Sequence, residues 1–177
     1  TLLGDDTTVT INDLGAGSAL AKTNTRTIYS IARHAAKPGK FGQLLYRMVK
    51  YYKPDNILEL GTSLGTTTSY LAKANPVARV ITMEGAKEVL AVAKKNFKIL
   101  QLQNVETREG NFDDTLPAVV RALSGVEGSS VSFCFIDGNH RFQPTIQYFK
   151  TLLPKTHNFS IIILDDIHWS EEMEQAW

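Results

Sequence analysis

Five acidic side chains stand at the ends of short apolar runs. Glu59 follows Ile57-Leu58, Glu84 follows Val80-Ile81-Thr82-Met83, Asp137 follows Phe133-Cys134-Phe135-Ile136, and Asp165-Asp166 follow Ile161-Ile162-Ile163-Leu164. Runs of this length read as buried strands. Carboxylates gathered at one rim of a sheet repel phosphate and suit a cationic ligand. Any one of them alone reads equally well as a loop acid that caps a helix. Asn111 stands just past a further strand pattern, Val105-Glu106-Thr107-Arg108-Glu109.

The stretch from Ile57 to Thr68 carries the most information. It reads as a strand, a glycine turn and a helix start, with the spacing Glu59-x-Gly61-x-x-x-Gly65 and with Thr62 and Ser63 inside the turn. Gly61 and Gly65 give backbone freedom where the chain turns and a ligand sits against it. Thr66 to Thr68 are suited to cap the helix and to leave free N–H groups facing that ligand. The spacing is not the G-x-G-x-x-G of a dinucleotide site, which lays backbone amides on a pyrophosphate.

These residues need elements to hold them. The N-terminal 25 residues, rich in Thr, Gly, Asp and Asn, read as a mobile arm or lid. Arg26 to Lys37 reads as a short helix stopped by Pro38-Gly39, and Phe41 to Tyr52 as a second, with Leu44, Leu45, Met48, Val49 and Tyr52 on one face. After the Lys53-Pro54 turn, strands and helices alternate. Strands are expected at 56–60, 79–84, 105–109, 131–136 and 160–164. Helices are expected at 65–74, 86–102, 113–123 and 143–153, with a last one opened by Ser170 and a Gly/Ser loop over 124–130. This alternation predicts an α/β fold, a doubly wound parallel sheet with its ligand crevice at the carboxyl ends of the strands.

Composition excludes several classes. The 177 residues are 43% hydrophobic and 21% charged, with a net charge of +1, which suits one globular domain with no broad nucleic-acid or polybasic membrane surface. The apolar runs are too short to span a bilayer. The single cysteine, Cys134, lies inside a strand pattern, where it reads as a buried thiol; one cysteine fits a reducing compartment and a cytoplasmic location. The aromatic residues do not interleave with basic ones as a single-strand nucleic-acid platform requires.

With these motifs the chain resembles the class I S-adenosylmethionine (SAM) methyltransferases, over roughly Phe41 to Trp177. It is most similar to the O-methyltransferase branch with the catechol and caffeoyl-CoA enzymes; Gly42-Gln43-Leu44-Leu45 also looks like that branch. The resemblance implies a strand order of 3-2-1-4-5, an N-terminal segment over 1–40 and a SAM-binding domain over 41–177. It implies that Glu59, Gly61, Thr62, Ser63 and Gly65 surround the methionine part of SAM. Glu84, with Gly85 beside it, would hold the ribose, since a carboxylate accepts both hydroxyl hydrogens of a diol. Asn111 and Phe112 would meet the adenine, and Asp137 would lie between cofactor and acceptor. No Asn/Asp-Pro-Pro-aromatic motif follows the fourth strand, so a base amine is disfavoured as acceptor.

In the metal-dependent members of that branch, an acid after the fourth strand and an acid pair after the fifth bind a divalent cation. Asp137, Asp165 and Asp166 match those places, which implies a Mg²⁺ site. Many relatives carry Asn where this chain has Asp166. His140 stands where the catechol branch has a lysine base, and a histidine there accepts a proton near neutrality; His168 is the second candidate as base or ligand. The implied reaction is methyl transfer to a hydroxyl of a small acceptor. Alternatives are a metal-independent enzyme of the same fold, a SAM-binding module without catalysis and, more remotely, a nicotinamide-dependent dehydrogenase. Complete members add a C-terminal antiparallel hairpin beyond the point where this sequence stops, so one sheet edge is expected to be bare. The N-terminal elements are expected to cover the acceptor or pair with a second subunit as a homodimer.

Overall fold

The computed structural model describes residues 1–11, 24–34, 36–125 and 130–177. A parallel sheet of five strands forms its centre: β3 (Asn56–Leu60), β4 (Arg79–Glu84), β5 (Val105–Glu109), β6 (Phe133–Ile136) and β7 (Ile161–Leu164), in the order β5-β4-β3-β6-β7. This is the expected 3-2-1-4-5 order. Helices α2 (Gly39–Tyr52), α3 (Thr66–Ala74), α4 (Lys87–Ile99), α5 (Phe112–Ser124), α6 (Phe142–Leu152) and α7 (Glu171–Ala176) complete the domain.

The period-two alternation of the strands builds two cores. Ile57, Val80, Phe133 and Phe135 pack with Leu45 and Val49 of α2 and Leu71 of α3. Leu58, Ile81, Met83, Cys134 and Ile136 pack on the other face with Leu116 and Leu123 of α5 and Tyr148 of α6. Cys134 is buried, and burial pushes its thiol well above the ordinary range. On α2 the inward face is narrower than the sequence suggests. Leu45 and Val49 are buried, but Leu44 and Tyr52 are exposed.

The N-terminal segment departs most from expectation. Thr8–Thr10 (β1) pairs antiparallel with Thr25–Thr27 (β2), and the first helix is Ile28–His34 (α1), shorter than 26–37. Three-residue threonine strands offer no readable periodicity. Residues 1–11 are packed rather than free: Val9 joins Ile28, Ile31, Leu64, Ala86 and Val89 in one buried cluster, and the Thr10 N–H donates to Glu88 Oε2 at 2.6 Å. The rest of the expected arm, 12–23, and most of the Gly/Ser loop, 126–129, lie outside the described residues.

Smaller differences have local causes. β6 starts at Phe133 rather than Val131 because the Val131 N–H bonds to Lys155 O, away from the ladder. Ser160 is left out of β7 because its side chain closes a turn, accepting from the His157 N–H and donating to Val131 O. β7 forms one sheet edge, with all four residues half-buried. Among the described residues no helix is long and apolar enough to cross a membrane.

Candidate active site

The parallel register brings the acids together. Leu60 pairs with Ile136, and Ile136 with Leu164, so Gly61, Asp137 and Asp165 are the next residues on three adjacent strands. The Asp137 N–H donates to Leu60 O at 2.8 Å and the Asp165 N–H to Ile136 O at 2.9 Å, each extending the ladder by one step. Beyond the strands the backbone turns left-handed at Asn139 (φ 67°), His140 (φ 30°) and Asp166 (φ 51°). Non-glycine residues occupy this region at a cost of roughly 1 kcal/mol or more, and such strain concentrates at functional sites.

The result is a compact charged cluster. His140 Nε2 lies 3.7 Å from Asp137 Oδ1 and 3.8 Å from Asp166 Oδ2. One donor atom from each of Asp137, His140 and Asp166 falls within 4.8 Å of the others, close enough to share a cation. Asp165 stands beside them, held by Lys37, whose ammonium also lies 3.4 Å from Asp137 Oδ1 and 3.9 Å from Asp166 Oδ1. Burial pushes the Asp137 carboxyl above its ordinary value, and Lys37 and His140 pull against that rise. Oxygen donors with a neighbouring imidazole fit a hard divalent cation.

His168 is placed elsewhere. Its side chain is 79% exposed and its Nδ1 sits 3.0 Å from Glu174 Oε1 on α7, so the expected role of His168 as base or ligand finds no support in the geometry. Lys37 is the residue that sequence reading missed. A lysine before Pro38-Gly39 reads as a helix stop, and nothing in its neighbours marks it as a partner of acids so far along the chain. A second missed group supports His140. Asn139 Nδ2 donates to Tyr148 Oη at 2.7 Å, and Tyr148 Oη donates to Asp113 Oδ1 at 3.0 Å, tying the loop after β6 to α5 and α6. Burial pushes the Tyr148 hydroxyl up to about 12.

Glu84 and the glycine turn form the other half of the rim. Glu84 Oε2 accepts the Ser63 N–H at 2.8 Å and its Oε1 accepts the Ala86 N–H at 2.9 Å. It thereby locks the turn at Ser63, whose φ is 48°, and half-buried Gly85 is the residue spanned by the Glu84–Ala86 contact. The two glycines answer to packing. Gly61 has φ 105°, and a Cβ there would stand 2.0 Å from Asp137 O; Gly65 has φ 78°, and a Cβ there would meet the Phe97 ring at 2.4 Å. The threonines do not cap α3: Gly65 is the N-cap, with no side-chain hydrogen bond. Asn111 does cap α5, accepting the Asp113 N–H, and the Phe112 ring lies edge-on to Tyr148 at 5.9 Å.

Glu59 corrects the expectation of an open carboxylate. It is fully buried in the row facing α3, where Thr68 Oγ1 and Thr82 Oγ1 donate to its Oε2, the latter at 2.6 Å. Thr62 Oγ1 meets Thr82 Oγ1 at 2.6 Å, and Glu59 Oε1 has no hydrogen-bond partner among the described residues. Burial pushes its carboxyl from 4.5 up to about 8, against the two threonine hydrogen bonds. The folded chain therefore holds this proton where the unfolded chain has released it. Stability from this group is lost as pH rises from 4.5 to about 8, then levels off. Glu59→Gln removes the effect. Its stability advantage over wild type is expected to grow across that window to a few kcal/mol, at about 1.4 kcal/mol per unit. Denaturant melts at several pH values check this; a flat difference would mean that Glu59 is ionised in the fold.

With this geometry in hand, comparison with known proteins places the chain. A family model described as a methyltransferase domain matches residues 58–167. The chain belongs to this methyltransferase domain family. The expectations of family and fold are thereby borne out. A catechol O-methyltransferase of Niastella koreensis is 33% identical over 152 residues, covering 84% of this chain and 65% of the relative. The chain thus spans less than two thirds of that protein's length. The O-methyltransferase TomG from Streptomyces achromogenes, solved in complex with SAM, is 25% identical with a TM-score of 0.66, covering 76% of this methyltransferase domain and 58% of TomG. An O-methyltransferase from Bacillus cereus, solved in complex with S-adenosylhomocysteine (SAH), shares the fold with a TM-score of 0.69 at 24% identity, covering 81% and 69% of the two chains.

Proposed function

We propose that this methyltransferase domain transfers the methyl group of SAM to a hydroxyl of a small acceptor, assisted by a divalent cation. One observation carries the proposal: Asp137, Asp165 and Asp166 converge with His140 and a cationic side chain at the carboxyl ends of β6 and β7. Glu84 and the Gly61–Gly65 turn flank that cluster and would hold the ribose and methionine parts of the cofactor, with Asn111 and Phe112 toward the adenine. Residues 1–40 would cover the site and 41–177 bind the cofactor.

SAM, when bound, supplies an electrophilic methyl on sulfur, and a divalent cation, when bound, makes an acceptor hydroxyl easier to deprotonate. The chain's own residues position and move the proton. Asp137, Asp165 and Asp166 would hold the cation, with Mg²⁺ the expected ion. His140 Nε2 would take the hydroxyl proton, and Asp137 and Asp166 beside it would stabilise the imidazolium that results. The main catalytic contribution is orientation, because displacement at a methyl needs the acceptor oxygen opposite the sulfur.

Calorimetric titration of SAH into the protein, with and without Mg²⁺ and beside an Asp165→Ala variant, tests this. SAH is expected to bind both proteins, and Mg²⁺ only the wild type. SAH binding without a Mg²⁺ site would remove the metal from the mechanism, and no SAH binding to folded protein would remove the cofactor assignment. Methyl transfer to a panel of catechols then tests the acceptor class.

A further inference from the structure

We propose that Lys37 is a built-in competitor for the divalent cation: its ammonium fills the cation position among Asp137, Asp165 and Asp166 and must move aside for a metal ion to enter. The inference rests on the cation reading above and deepens it. Lys37 Nζ contacts all three carboxylates, and its side chain is 17% exposed, so it is a half-buried member of the cluster rather than a passing surface charge. The Asp165 Oδ2 atom is buried, and the Lys37 ammonium is the partner that answers it.

The backbone holds Lys37 in place from both sides. The Ala36 N–H bonds to Ile31 O at 3.2 Å, and Pro38 forms the N-cap of α2, its carbonyl accepting the Phe41 N–H at 2.9 Å. A lysine set at the α1–α2 junction can reach the rim with its long stem and can also swing out, since its ammonium is a point charge on four rotatable carbons. Mg²⁺ binds carboxylate oxygens at about 2.1 Å. An ion within reach of these three acids would lie only a few ångströms from Nζ, and two cations at that separation repel in a half-buried site. Three carboxylates facing one ammonium leave negative charge uncompensated, so a divalent ion has reason to displace it.

Mn²⁺ binding, read from the electron paramagnetic resonance signal of the free ion, tests this without an activity assay. Wild type is compared with Lys37→Met and Lys37→Arg, each checked for folding by circular dichroism. Lys37→Met is expected to bind Mn²⁺ about tenfold tighter than wild type, and Lys37→Arg, which keeps the charge, no tighter than wild type. Lys37→Gln replaces the methionine variant under the same criterion if that variant does not fold. Equal or weaker binding by the uncharged variant overturns the competitor role while leaving the cation site standing. Absence of Mn²⁺ binding in every variant overturns both.

Discussion

Replacing Gly61 with alanine is expected to destabilise the domain by about 3–5 kcal/mol. Two independent effects meet there. The backbone sits at φ 105°, which L side chains rarely adopt, and the added Cβ would stand 2.0 Å from the carbonyl oxygen of Asp137. That neighbour is backbone on the adjacent strand, so relief requires β3 and β6 to part where the Asp137 N–H bonds to Leu60 O. Gly65→Ala is the comparison. It has a similar backbone penalty at φ 78°, but its obstacle is the Phe97 ring, a side chain that can shift. Its loss should be clearly smaller. Guanidinium unfolding of the two variants beside wild type decides, and a Gly61→Ala midpoint equal to that of Gly65→Ala would defeat the argument from strand contact.

The same glycine shows what was and was not legible in the sequence. The strands at 56–60, 79–84 and 105–109 are found where the strand patterns placed them, and parallel topology follows from alternation with helices. Knowing that acids also follow the strands ending at Ile136 and Leu164 is enough to bring Asp137, Asp165 and Asp166 to one rim. Sequence also flagged Gly61 for backbone freedom at a turn, which its φ of 105° bears out, but not for the close approach of Asp137 O from the neighbouring strand. Glu59 was legible as a special acid and not as a buried one. Its fate depends on Thr68 one helix away and Thr82 on the next strand, and only the register of β3 with β4 puts them together. Lys37 was not legible at all. Its role comes from the α1–α2 junction crossing over the sheet rim, a tertiary fact that no local pattern encodes. His140 and His168 looked alike as loop histidines past strand ends; the left-handed turn at Asn139 and His140 draws one inward, while Glu174 draws the other out.

That separation makes the sharpest functional test. On the proposed reading, His140→Gln is expected to lower kcat for methyl transfer from SAM to a catechol probe by about 10²–10³, the usual contribution of a positioned general base. SAH affinity should stay within about threefold of wild type, because His140 touches the acid cluster rather than Glu84 or the glycine turn. His168→Gln should leave kcat within about twofold, since only an exposed contact to Glu174 is lost. The pairing guards against a trivial explanation. Glutamine keeps a polar side chain of similar reach, so a loss confined to His140 reports the imidazole rather than the packing around it. The Asn139–Tyr148–Asp113 chain supplies a graded third point. Tyr148→Phe removes the hydroxyl that anchors Asn139, leaving the histidine in place but less firmly aimed, and should cost about tenfold in kcat. If His140→Gln retained more than a third of wild-type kcat, proton acceptance would have to be reassigned away from this imidazole.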